Sequence, residues 1–459
     1  MKTVTFNIFL IFSCVLAFII SLNATGVYEN IGILPISFIV ISVLCSNVYS
    51  LYGKSLTVTL ITSVMFLKNV LMPFFIVLGN CTLRSGVNIY DTINYAYFLE
   101  IYECLAVLFV LRFYVNHFKL KYNENITINC CITSNGMRLY KKVLFVILII
   151  FILIIITYPQ LLLYFTYGLD GDQESIIEQN NLSMAIERSM PRILFYVYVL
   201  FYDLLRWIIP LYVIFKLYLK NRNINISIFI SLLIVGISAY FGTNTKALSV
   251  FIAISLSFLL IRLYPQKRNN VISILILLVS FFGIVSLFVK SFGNTGSQST
   301  LYNDIASTLQ AYFSGPENVA IASLIQEPIS FELILGDTFG HIPFVKYFFL
   351  DMPTSNNHFN YVFWNSRDII TQIIPVISQG ERYFSMIFAP IFTILIVKIA
   401  LYYEKKIYQS NDLYCLAIGY MGCTCFSMAL TMYNASQCFS LYFSYLFPTI
   451  VLFKICRKY

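Results

Sequence analysis

From Lys142 to Tyr158 the chain reads KVLFVILIIFILIIITY, with no polar residue between Lys142 and Thr157. A helix that is apolar on every side has no face to offer water, so it must be enclosed by protein or lie in lipid. About 20 such residues cross a hydrocarbon core of roughly 30 Å, and the run from Val271 to Val289, interrupted only by Ser273, Ser280, Gly283 and Ser286, is long enough for the same purpose. In lipid only helices and closed barrels satisfy their own backbone, so these runs predict spanning helices. Composition agrees: 59% of the 459 residues are apolar and only 11% are charged, where a soluble domain carries about twice that charge.

Apolar runs of about 17 to 25 residues predict spans near 5–22, 31–51, 57–79, 94–116, 143–165, 192–215, 225–242, 246–263, 271–290, 383–402, 412–432 and 436–454. Lys2 ahead of an apolar stretch resembles a signal peptide, but with so many spans following, an uncleaved first span is expected. Lysine and arginine concentrate in alternate loops, at Lys54, from Lys119 to Lys142, at Lys216 to Arg222, at Lys267 and Arg268, at Lys405 and Lys406, and after Lys454. By the positive-inside rule these loops and both termini are cytoplasmic. Carboxylates such as Asp170, Glu178, Asp304, Glu317 and Asp337 fall on the opposite side. The fold class is thus all-α and polytopic, with about twelve spans and one large structured outer loop. It divides into 1–290 with nine spans, 291–381 as the outer loop, and 382–459 with three spans.

The net charge of +9 is spread over short inner loops, so it signals topology and gives nucleic-acid binding no support. Most cysteines lie in apolar runs, where they act as small hydrophobes; neither a metal site nor a disulfide framework is expected. In the outer loop, Asn303 or Asp304 can cap a helix ending near Gly315. Pro316 then opens a second helix after a sharp bend.

Charges inside spans are costly and point to partners or cavities. Lys68 lies mid-span, and Glu100 and Glu103 share one face of the next span. An ion pair and a proton or ion relay are both consistent with them. Asp203 and Arg206 repeat the spacing and are expected to pair. A second group stands at the outer ends of spans: Arg188, Arg192, Lys246, Lys290 and Arg382. Lys246 begins a helix after the hairpin Phe241-Gly-Thr-Asn-Thr-Lys-Ala247, and helix-end N–H groups plus a lysine can hold an anion. Lysine snorkelling to headgroups is the plainer account of any one of these.

Three stretches resemble the Wzy-type family of O-antigen and capsular polysaccharide polymerases. FGTNTKAL resembles the family's Gly-Gly-Arg-Gly-like outward turn, departing from it with Lys246 where arginine is usual. Ala311-Tyr-Phe-Ser-Gly-Pro-Glu-Asn-Val-Ala320 resembles its Tyr-x-Ser-Gly-Pro segment. The stretch from Gln372 to Phe384, with Arg382 and Tyr383, resembles its return from the large periplasmic loop. Asn356-Asn-His-Phe-Asn360 resembles the histidine-containing loop of the related O-antigen ligases. The resemblance implies a GT-C-like membrane glycosyltransferase of the bacterial inner membrane. Its substrates would be undecaprenyl-diphosphate-linked oligosaccharide repeat units in membrane lipid, with a chain-length regulator protein as a further partner and no cofactor. Arg188, Arg192, Lys246, Lys290, Arg382 and Tyr383 would bind substrate, and Glu317 or His358 would act as base. A lipid-linked oligosaccharide flippase and an O-antigen ligase are the competing expectations.

Overall fold

A computed structural model describes residues 2–117, 133–165, 185–186, 189–220, 224–240, 246–273, 301–349, 352–366 and 372–458. The ninth expected span, the start of the outer loop, the acidic stretch around Asp170 and the Phe241–Thr245 hairpin lie outside the described residues.

All regular secondary structure among the described residues is helical, without strands. The long helices are α1 (Lys2–Ser21), α2 (Ile33–Leu44), α3 (Leu56–Leu78), α4 (Ile93–His117), α5 (Ser134–Thr157), α6 (Arg192–Lys220), α7 (Ile224–Tyr240) and α8 (Lys246–Leu263). Four short helices follow, α9 (Leu301–Tyr312), α10 (Pro316–Ala322), α11 (Phe331–Phe339) and α12 (Ser355–Trp364). The chain closes with α13 (Val376–Phe388), α14 (Ile391–Gln409), α15 (Leu413–Met432) and α16 (Ala435–Lys458). Among the described residues six helical segments are long and apolar enough to cross a membrane, or eight if each of two bent pairs counts as one. α5 buries only 11% of its most apolar stretch, as a helix facing lipid should, whereas α15 buries 83% and forms the bundle's centre.

Among the described residues three clusters of core are present, the smallest joining the end of α5 to the start of α6 around Phe195 and Tyr198. The largest draws on α1 to α8 and on α14, α15 and α16, and includes Trp207, Phe251 and Phe453. Within it, Gly422 lets the Tyr403 ring lie directly on α15, the close approach that small residues allow between membrane helices. The second core joins the end of α3 and the start of α4 to α9, α10, α12 and α13, so the short helices form a layer on one end of the bundle.

Several boundaries differ from expectation for local reasons. α9 starts at Leu301, ahead of the Asn303 or Asp304 cap, and the bend before Pro316 is made by Ser314 in the left-handed region (φ 51°). α5 begins at Ser134, capped by Thr133, well before its apolar run. The expected span at 383–402 is two helices: Ser385 (φ 64°, ψ 174°) kinks α13 internally, and α13 meets α14 at 109° across Ala389 and Pro390. The turn brings the Ala389 carbonyl onto Gly380, where any Cβ would collide with it. Gly380→Ala therefore overpacks a backbone contact, at a cost of about 1–3 kcal/mol or more. A clear drop in the melting temperature of the detergent-solubilised protein is the expected result; an unchanged value would show the turn to be loose.

Buried charges tie the long helices together. The ladder of α3 widens to a π turn at Leu67–Leu71, which carries Lys68 and Asn69 into the interior. Lys68 Nζ donates to Glu103 Oε2 at 2.7 Å, Thr393 Oγ1 of α14 donates to Glu103 Oε1 at 2.9 Å, and Glu100 Oε1 stands 3.8 Å from Nζ. Of the two geometries open in the sequence, the ion pair is present, with Glu103 as the close partner. Arg206 lies over the Tyr202 ring, and Asp203 is bonded by the Tyr445 hydroxyl, joining α6 to α16. Glu404, fully buried, accepts from Ser55 Oγ and Leu56 N and so closes the N-terminus of α3.

Candidate functional site in the short-helix layer

Gln379, Arg382 and Tyr383 lie on one face of α13, the face that three- and four-residue spacing creates. That face meets Asp337, near the end of α11. Tyr383 Oη donates to Asp337 Oδ2 at 2.8 Å and Gln379 Nε2 to the same oxygen at 3.2 Å. Ser355, opening α12, adds its backbone N–H at 2.8 Å to Oδ1 and its hydroxyl at 2.5 Å to Oδ2. Asp337 can sit this near α12 because Gly336 has no side chain to strike the Pro353 carbonyl. Four donors fix the carboxylate, which makes Asp337 the hub of the layer.

A second ring of amides holds the return segment. Asn360 accepts from Gln372 N at 2.8 Å and donates to Gln372 O at 2.6 Å. Asn356 Oδ1 accepts from Ile374 N and from Asn434 Nδ2. Gln379 also reaches the start of α16, donating to Ser436 Oγ and accepting from Ala435 N. Backbone that would otherwise be buried unpaired is thereby satisfied.

Arg382 sits at the edge of this network. Its Nη2 donates to the Glu327 carbonyl at 3.0 Å, while Nη1 is buried with no hydrogen-bond partner. An unmet guanidinium N–H is costly to bury and is suited to an anion's oxygens. His341, just past α11, has a buried Nε2 without a partner as well. Burial holds the His341 imidazole below its ordinary value of 6.5, with Asp337 opposing and Lys346 reinforcing the effect. Lys346 in turn stands over the Tyr196 ring of α6 at 3.9 Å.

The sequence candidates are placed as follows. Arg382 and Tyr383 enter the Asp337 hub. His358 lies half-buried on α12, three residues past Ser355. Glu317 is fully buried at the start of α10, and both its oxygens are taken: Arg84 Nε reaches Oε2 at 3.1 Å, and the backbone N–H groups of Arg84 and Ser85 reach Oε1. Arg84 also lies over the Phe363 ring of α12. Arg192 opens α6 with an exposed side chain, and among the described residues no hydrogen bond or ion pair joins it to Arg382. Lys246 opens α8, and Arg188 and Lys290 lie outside the described residues. Sequence reasoning missed Asp337, His341, Arg84 and Ser355; Gly336 beside Asp337 was the available signal.

Comparison with protein-family models, with curated proteins and with solved structures finds no match for this chain.

Proposed function

We propose that the chain is an oligosaccharide repeat-unit polymerase of the bacterial inner membrane. In this reading it has twelve spans, cytoplasmic termini, and 291–381 on the periplasmic face. The supporting observation is the buried, unpartnered Nη1 of Arg382 beside the Asp337–Tyr383 hub and the bare nitrogen of His341. An acceptor sugar hydroxyl attacks the anomeric carbon of the lipid-linked donor. The bond to the diphosphate oxygen breaks, and the leaving group departs with the electron pair. Arg382 meets the charge that develops there, in the manner of a preorganised donor. The hydroxyl proton passes to the neutral imidazole of His341. Glu317, with both oxygens engaged, anchors the Arg84 turn instead of taking the proton, and Arg192 and Lys246, each opening a helix, remain further candidate cations for the diphosphate. Undecaprenyl diphosphate carries the substrate, and a chain-length regulator is the expected protein partner.

Reconstituted protein given only lipid-linked repeat units should yield a ladder of longer lipid-linked glycans. An O-antigen ligase would need a different acceptor lipid, and a flippase would move the units across the bilayer unlengthened. The flippase reading gains its support from the buried Lys68–Glu103 pair, and single units recovered on the far side would favour it over the polymerase.

The rate should also depend on pH in a defined sense. Because His341 is held below 6.5, its neutral, proton-accepting form persists as pH falls through 6.5, and activity should decline only at more acid pH. His341→Gln should remove that acid limb and lower the plateau about 10²–10⁴-fold. A limb centred at or above 6.5 would assign the proton to another group.

A further inference from the structure

The interior between α3 and α4 holds one cation and two carboxylates. Glu103 is fully provided for, by Lys68 Nζ at 2.7 Å and Thr393 Oγ1 at 2.9 Å. Glu100 is as deeply buried, at 1% exposure, yet neither of its oxygens receives a hydrogen bond, and Lys68 stays 3.8 Å away. One turn earlier on the same face, the hydroxyl of Tyr97 is buried at 2% exposure and is also without a partner.

The other ionisable groups near Glu100 do not balance it. On α4 itself these are Glu103, Cys104 and Tyr97. From α3 comes Lys68, already committed to Glu103, and from α14 only the neutral Thr393. Tyr28 is bound by Gln310 of α9, Glu317 of α10 by Arg84, and Glu381 of α13 by Tyr95 of α4. An ionised Glu100 would leave a net negative charge in an apolar interior with no donor to solvate it, an arrangement whose desolvation cost is prohibitive.

We propose that Glu100 is a proton-binding site, its carboxyl carrying an exchangeable proton that leaves the Lys68–Glu100–Glu103 group neutral. The proton adds to one Glu100 oxygen, and no other bond changes. Tyr97 and Tyr28 share the second core with the short-helix layer, so hydroxyls mark the way from Glu100 toward that layer. The inference is independent of the polymerase reading, because Glu100 makes no bond to the Asp337 hub and its protonation requires no glycosyl transfer.

Infrared spectroscopy on the full-length protein in lipid nanodiscs at neutral pH tests it. The wild-type-minus-Glu100→Gln difference should contain a carboxylic acid C=O band that shifts on transfer to deuterated water. Carboxylate bands in its place would overturn the proposal. Gln is a near-isostere of the neutral acid, so the Glu100→Gln protein should also reach wild-type abundance. A rise well above wild-type abundance would equally overturn the proposal, since it would show that the amide had relieved the interior of an uncompensated carboxylate.

Discussion

Lys68→Met is expected to deplete the folded protein in the membrane, and Lys68→Met with Glu103→Leu to restore it. The single change leaves Glu103 ionised in the interior with only Thr393 to solvate it. Breaking a buried pair costs roughly 3–5 kcal/mol, whereas exchanging both members for apolar residues is often close to neutral. At about 1.4 kcal/mol per tenfold, that moves the folding equilibrium by roughly two to three and a half orders of magnitude. Glu100→Leu should not rescue Lys68→Met, because Glu100 stands at 3.8 Å and shares no hydrogen bond with Lys68. Membrane abundance and melting temperature in detergent read the outcome. Rescue by Glu100→Leu in place of Glu103→Leu would reverse the assignment of partners, and rescue by neither would show that the lysine has a role beyond neutralising a charge.

Arg382→Ala should reduce a ladder of long glycans to single repeat units while the protein remains in the membrane. Removing one preorganised donor from a developing anion costs about 10²–10³ in rate. Arg382→Lys should recover only part of that, since an ammonium supplies a point charge without the forked N–H geometry. The loss of the Glu327 carbonyl bond also touches the fold, so melting temperature is measured beside the ladder. A normal ladder from Arg382→Ala would take the guanidinium out of the chemistry, and with it the observation that favours glycosyl transfer. Lys246→Arg, which restores the residue usual in the family that the sequence resembles, should keep activity.

The long helices were legible because lipid imposes a single rule on each of them: about 20 apolar residues, whatever surrounds them. Lys68, Glu100 and Glu103 stood out for the same reason, as exceptions to that rule. Which glutamate takes the lysine depends on the π turn of α3 and on Thr393, far away in sequence, and neither leaves a trace in hydropathy. The hub was only half visible. Arg382 and Tyr383 sit in a stretch singled out by its resemblance, and Asn356 and Asn360 frame the histidine motif. Asp337, however, reads in sequence as one more carboxylate on the outer side. Its four donors come from Ser355, Gln379 and Tyr383, on helices α12 and α13 that local periodicity cannot bring together. The bend at Ser385 was hidden too, because the apolar residues on either side of it make one continuous hydropathic run.

That bend separates two mechanical parts. A helix running straight from Val376 to Gln409 would carry every tilt of its membrane half into the Asp337 hub as a displacement. With the hydrogen-bond ladder interrupted at Ser385 and the arms at 109°, the joint works as a pivot. A tilt of α14 would be taken up between Ser385 and Pro390, while α13 stays pinned by its bonds to Asp337, Ser436 and Tyr95. A backbone conformation that serine rarely adopts costs on the order of 1–3 kcal/mol, and with it the Asp337 hub is uncoupled from the tilt of α14.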